Sequence, residues 1–195
     1  YALHLSDEAL SCLEAPTPKQ LSNVETHITG SVRALCAAAQ DAAQKLGFQC
    51  RMLTDCLECE AREAGRFLAS IARSHQQTER PLAFFAGGET VVHLTGQGLG
   101  GRNQELALAA APGLRGTQNT AVCSFGSDGT DGPTDAAGGF VDQSSDAALR
   151  AAGLDVPQVL AENDAYHALQ KIGGLLMTGP TGTNVNDLAM VLIWR

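Results

Sequence analysis

Val24-Glu25-Thr26-His27-Ile28-Thr29-Gly30-Ser31-Val32-Arg33-Ala34-Leu35-Cys36-Ala37-Ala38-Ala39 is the stretch on which the fold turns. Its first six residues alternate and are rich in β-branched side chains, which predicts a strand. Gly30-Ser31 then opens an Ala-rich helix to Leu46, with Gly47 placed to close it. Phe48 to Leu53 reads as the next strand. Glu60 to Ser74 carries Ala64, Phe67, Leu68 and Ile71 at helical spacing. The order strand, helix, strand, helix predicts a parallel sheet with helices on its faces.

Upstream, residues 1 to 22 hold Pro16 and Pro18 and read as a connector with a short helix at Ser6 to Glu14. Residue 1 is Tyr, which suggests a trimmed, processed or partial chain. Downstream, the polar run Ser74 to Pro81 is a candidate domain boundary. Leu82 to Phe85 predicts a strand, turned by Gly87-Gly88 into a second one, Val91 to Thr95. The two are too close for a crossover helix, so an antiparallel hairpin is expected. A helix from Arg102 to Ala111 and a buried strand, Thr120 to Phe125, follow. Ser144 to Ala152, Val156 to Glu162 and Tyr166 to Ile172 read as helices, and Leu188 to Trp194 as a closing strand.

The chain has 195 residues, 44% hydrophobic and 17% charged, so a packed core is expected and disorder is not. Thirteen basic and 21 acidic residues leave a net charge of −8 with no basic stripe, which argues against nucleic acid. No apolar run reaches the ~20 residues that span a bilayer, and no signal segment opens the chain. The expected setting is the cytoplasm. Of six Cys, only Cys56 and Cys59 have C-x-x-C spacing; a zinc site would need a second pair, so reduced thiols are expected.

Three loops are candidates for chemistry. In Ser127-Asp128-Gly129-Thr130-Asp131-Gly132-Pro133-Thr134-Asp135, three carboxylates and small hydroxylated residues follow a strand, where open α/β sheets bind ligands. Carboxylates this dense need a cation or donors to hold them, so Asp128, Asp131 and Asp135 are candidate Mg²⁺ or sugar-acid ligands. Their alternative is a solvated Asp-Gly turn. Gly96-Gln97-Gly98-Leu99-Gly100-Gly101 satisfies G-x-G-x-x-G, but the acid that should hold a nicotinamide cofactor's ribose about 20 residues on is missing. What survives is a glycine loop whose N–H groups at a helix start suit phosphate or carboxylate. Arg102 beside it can grip such an anion bidentately, and Glu89 can face the same cleft. Asn103 caps the helix or contacts ligand, while Glu105 suits the helix dipole. Thr181, Thr183 and Asn184 in the third loop suit hydroxyl or phosphate contacts, or form a plain turn around Gly179-Pro180. Asn163-Asp164 reads as helix capping. Neither a Ser/His/Asp triad nor a P-loop is present.

Taken together, Gly87-Gly88-Glu89, Gly96 to Glu105, Ser127 to Gly138 and Thr178 to Leu188, with Asn163-Asp164-Ala165-Tyr166 between, resemble the MOFRL domain of the class II glycerate 2-kinases. Leu57 to Glu63 and Gly30-Ser31 resemble the end of that family's N-terminal domain. The resemblance implies a Rossmann-like β-α-β portion in residues 1–80, followed by a three-layer α/β domain with a mixed sheet in 81–195. It implies phosphoryl transfer from ATP to D-glycerate with Mg²⁺, in a cleft between two domains. Arg102 would hold substrate or phosphate, Asp128 and Asp131 would be catalytic and bind the metal, and Gly96, Gly98, Gly100 and Gly101 would approach phosphate. Glu89, Asn103, Thr130, Thr181, Thr183 and Asn184 would complete the binding set. Most of the family's N-terminal domain, with an important Lys, has no counterpart here, so the chain alone is expected to be inactive. Some relatives are named hydroxypyruvate reductases, so NAD(P)H-dependent reduction is one alternative and a non-catalytic small-acid-binding fragment another; the expected partners are glycerate and the missing N-terminal domain, with a homo-oligomer left open. Val32 after Gly-Ser, Gln97 and Leu99 in the glycine loop, and Cys59 depart from the family pattern.

Overall fold

The computed structural model describes residues 6–14, 16, 17 and 19–195; the opening Tyr1 to Leu5, with His4, and Pro18 of the expected connector lie outside them. Six strands form one mixed sheet: β1 (Gln49–Leu57), β2 (Leu82–Gly88), β3 (Thr120–Gly126), β4 (Gly138–Asp142), β5 (Leu175–Leu176) and β6 (Asp187–Ile193). The order is β1-β2-β6-β3-β4-β5. β1 and β2 are parallel, joined by α3 (Ala61–Ser74), and every other pairing is antiparallel. The parallel unit is thus β1-α3-β2, which takes its second strand from beyond residue 80, and it belongs to the same sheet as the antiparallel strands.

The layers follow from side-chain alternation. On β2, Leu82, Phe84 and Ala86 face one core with α3 and α4 (Arg102–Ala110). Ala83 and Phe85 face the other, under α2 (Val32–Lys45). With helices on both faces, β2 is buried along its whole length and reads as an unbroken apolar run. Phe85 has no exposed surface, a burial of about 1.5–3 kcal/mol. α2 begins as expected: the Ser31 side chain accepts from the Ala34 N–H, and Gly47 follows the helix at φ +90°. α3 and α4 meet at Gly65, where a Cβ would lie 2.1 Å from the Leu106 carbonyl oxygen. Only glycine permits that approach.

Short helices complete the layer on the α3 side: α5 (Ser145–Ala151), α6 (Val156–Ala161) and α7 (Ala165–Lys171), while α1 (Asp7–Glu14) lies at the exposed start.

Two expected strands do not form. Val24 to Thr29 is exposed and irregular, because among the described residues its alternating side chains have no neighbouring strand to pair with. Val91 to Thr95 does not return along β2, since both edges of β2 are taken by β1 and β6. Only Val91 keeps a bridge, parallel to Glu60. Conversely, β4 and β5 escape sequence reading. β4 opens with Gly138-Gly139, where a Cβ on Gly138 would sit 2.0 Å from the Ser124 carbonyl oxygen.

Candidate active site

The register of β6 places Asp187 opposite Gly88 on one side and Gly126 on the other. Three loops converge at this end of the sheet. Around Asp187 lie the Glu89 segment, the glycine loop leading into α4, and the Asp128–Asp135 loop after β3.

Arg102, the first residue of α4, is bound by Asp187 through two parallel contacts, Nε to Oδ2 at 2.5 Å and Nη2 to Oδ1 at 3.1 Å. Its Nη1 lies 3.3 Å from the exposed Glu89 carboxylate. The Asp187 hydrogen bond raises the Arg102 pKa, burial opposes, and the Asp187, Glu89 and Asp131 charges assist. Asp187 is thus the residue that orients Arg102. Its position after the third loop was legible, but its role depends on strand order.

Asp131 is buried and acts as the cap of α4. Its Oδ1 accepts from Asn103 N–H at 3.1 Å and Asn103 Nδ2 at 3.2 Å, and its Oδ2 accepts from Gln104 N–H at 2.9 Å. Burial pushes this carboxyl up against the pull of those donors. Gly101 is glycine because a Cβ there would meet the Asp131 carboxyl at 2.3 Å. Asn103 is also buried, and its Oδ1 accepts from Ser124 Oγ. Asp128 is half-buried: Oδ1 accepts from Thr130 N–H at 3.0 Å, and Oδ2 has no protein partner among the described residues. A Cβ on Gly126 would meet Asp128 Oδ1 at 3.0 Å and Asp187 Oδ1 at 3.5 Å, so the two carboxylates flank one point. Asp135 instead accepts from the Tyr166 hydroxyl at 2.8 Å. Thr130 is exposed.

The glycine loop borders a cleft of about 600 Å³, lined also by Glu89, Arg102, Glu105, Gly132, Pro133 and Asn163. Its glycines divide into two pairs. Gly96 and Gly98 press against the turn between α6 and α7: a Cβ on Gly96 would lie 2.3 Å from Glu162 Cα, and one on Gly98 2.5 Å from Asp164 Cβ. Their N–H groups are given to Asn163 Oδ1 at 2.9 Å and the Glu162 carbonyl at 2.8 Å, and that of Leu99 to Asp164 Oδ1 at 3.0 Å. The N–H groups of Gly100 and Gly101 have no protein acceptor among the described residues. With no strand before this loop, the strand–loop–helix context of a dinucleotide fingerprint is missing. Asn163 does not merely cap a helix: it holds the loop.

The third loop packs on the second. Thr181 N–H donates to the Asp128 carbonyl at 3.0 Å and its Oγ1 to the Ser127 carbonyl at 2.5 Å. Thr183 and Asn184 are exposed, and Asn184 Oδ1 accepts from Asn186 N–H at 3.4 Å. The structure thus gathers Glu89, Gly100, Gly101, Arg102, Asp128 and Asp187, uses Asn103 and Asp131 to build the start of α4, and leaves Thr130, Thr183 and Asn184 at the surface. Among the described residues, no group of three or more His, Cys, Asp or Glu is placed to hold a metal ion by itself.

Comparisons with known proteins agree with this architecture. The MOFRL family pattern matches residues 82–187. D-glycerate 2-kinase of Thermotoga maritima is 53% identical over 99% of this chain and 47% of its own. Glycerate 2-kinase of Pyrococcus horikoshii is 42% identical over 98% of this chain and 44% of its own. A crystal structure of a glycerate kinase from Thermotoga maritima superimposes with a TM-score of 0.88 at 53% identity, covering 98% of this chain and 47% of that one. Two Agrobacterium vitis relatives carry hydroxypyruvate reductase in their names. The chain spans about half the length of the curated relatives it matches. On the matched residues and the shared fold, the chain belongs to the MOFRL family.

Proposed function

We propose that this chain is the C-terminal part of a glycerate 2-kinase that transfers a phosphoryl group from ATP to D-glycerate, giving 2-phosphoglycerate. On this reading residues 1–80 continue the kinase's N-terminal part, residues 81–195 form the MOFRL domain, and the enzyme works in the cytoplasm. The observation that carries it is Arg102, fixed by Asp187 and directed into a cleft beside the Gly100 and Gly101 N–H groups, which have no acceptor among the described residues. Phosphoryl transfer needs this kind of pre-positioned positive charge more than it needs covalent chemistry.

Asp187 occupies two nitrogens of Arg102, so Nη1, which among the described residues meets only exposed Glu89, is the one an incoming phosphate can take. Gly100 and Gly101 supply N–H donors to the same anion at the start of α4, where the helix dipole favours negative charge. Mg²⁺ fits Asp128, whose Oδ2 has no protein partner among the described residues, and does not fit Asp131, whose two oxygens are given to α4. Magnesium usually binds through one or two carboxylates plus substrate phosphates, and when bound at Asp128 it would neutralise phosphate charge. The rest of the site would come from the remainder of the kinase, so residues 1–195 alone should show little or no turnover.

The test is D-glycerate-dependent ADP release by the enzyme containing this chain, with Arg102→Ala and Asp128→Asn compared against the parent. Loss in both supports the reading; parent-like turnover in both overturns the roles given to Arg102 and Asp128.

A further inference from the structure

Glu105 is a buried acid, 2% exposed, on the floor of the cleft. Its two oxygens have different partners. Oε1 accepts from Arg62 Nε of α3 at 3.0 Å, and Oε2 accepts from Asn163 Nδ2 at 3.2 Å. Glu60, just before α3, shares Arg62 at 2.8 Å and lies 3.6 Å from His93 Nδ1. With Glu162 and Asp164 on either side of Asn163, and His167 at 2.6 Å from Asp164, those are the charged and titratable groups around Glu105 and Asn163.

Asn163 is 5% exposed and joins separate segments. Nδ2 also donates to the His93 carbonyl at 3.1 Å, while Oδ1 accepts from Thr95 N–H at 2.7 Å and Gly96 N–H at 2.9 Å. Two acceptors on one side and two main-chain donors on the other leave the amide one orientation. Flipped, it would set NH₂ against N–H and oxygen against carboxylate. The backbone agrees: Asn163 has φ +54°, which asparagine tolerates better than most residues.

We infer that Glu105 and Asn163 are positioning residues for the glycine loop: Glu105 fixes the Asn163 amide, and the amide fixes Thr95 and Gly96, so that Gly100 and Gly101 meet the anion in the cleft. The inference rests on the kinase reading for its substrate and on geometry alone for the loop. A plain asparagine cap would need only one or two local N–H groups; here the side chain reaches 67 and 68 positions back along the chain. Glu105 supplies no proton and touches no substrate in this role.

The experiment has two arms on the same full enzyme. In the first, the KM for ATP and kcat with D-glycerate are measured for Asn163→Ala, Asn163→Asp and Glu105→Gln. In the second, amide hydrogen exchange is followed at Thr95 and Gly96. Asn163→Ala is expected to raise the KM for ATP about tenfold, as loss of well-placed hydrogen bonds does, with a smaller change in kcat and faster exchange confined to the loop. Asn163→Asp is expected to behave likewise at pH 8, where two carboxylates face each other. It should recover as the pH falls and one of the two carboxyls is protonated, so that a hydrogen bond joins them and the other Asp oxygen accepts from the loop. Glu105→Gln, able to satisfy only one of the two partners with oxygen, should fall between. Unchanged KM values, or exchange that quickens evenly over the chain, would overturn the inference. If the parent does not phosphorylate D-glycerate, the kinase reading fails by itself, and the exchange arm decides the positioning role.

Discussion

Replacing Asp131 by Ala should destabilise the fold without any ligand being present. Asp131 accepts three N–H donors at 2.9–3.2 Å and is 3% exposed, so its removal leaves the first amides of α4 without an acceptor in a buried setting. Hydrogen bonds to a charged acceptor contribute about 1.5–3 kcal/mol each, and losing a cap costs about 1 kcal/mol. The burial cost of the carboxylate, several kcal/mol, is recovered on its removal and offsets much of that sum. The net expectation is a loss of about 3 kcal/mol, which lowers Tm by about 6–12 °C in a chain of this size. Asp131→Asn, with one oxygen to offer, should lose about half as much. Thermal melts followed by circular dichroism, with EDTA and with Mg²⁺, measure this. A Tm within about 2 °C of the parent in EDTA, with a deficit appearing only when Mg²⁺ is added, would refute the cap and return Asp131 to the metal.

Other perturbations separate packing from chemistry. Gly65→Ala, which in an exposed helix would stabilise by about 1 kcal/mol, should destabilise here because its methyl meets the Leu106 carbonyl oxygen at 2.1 Å; urea unfolding gives the sign. Arg102→Lys should cut kcat/KM for ATP by about 100-fold, since an ammonium cannot make both Asp187 contacts and still reach phosphate; a change under threefold would contradict the role of the fork. Burial raises the Glu105 pKa in the folded chain, so its contribution is fully present below the unfolded value of about 4.3 and is lost as pH rises through the folded pKa. The stability advantage of the parent over Glu105→Gln should therefore shrink from acid to neutral pH in urea titrations, and growth over that range would contradict the assignment.

What could be read from the sequence was whatever depends on local signals. Ser31 and Gly47 bracket α2, and the apolar spacing of Ala64, Leu68 and Ile71 marks α3; both helices stand where these residues place them. The apolar run of β6 was equally plain. Strands defined by a partner were not. Val24 to Thr29 has strand-like residues and no neighbouring strand among the described residues, whereas β4 begins with two glycines and is a strand because β3 lies against it. In the site, Arg102 and Asp128 stood out by charge among glycines. The division of labour did not, because whether Asp131 meets a metal or the amides of α4 depends on two loops 28 positions apart. Asp187 and Asn163 act through residues 85 and 67 positions away, contacts that no local pattern announces.

Phosphorylation of D-glycerate is tested by ³¹P NMR of the product formed by the purified full enzyme from Mg-ATP and D-glycerate. The expected product is a phosphate monoester on the 2-hydroxyl, formed with ADP and lost in Arg102→Ala. Absence of any phosphorylated product, together with oxidation of NADH by hydroxypyruvate, would contradict the kinase reading.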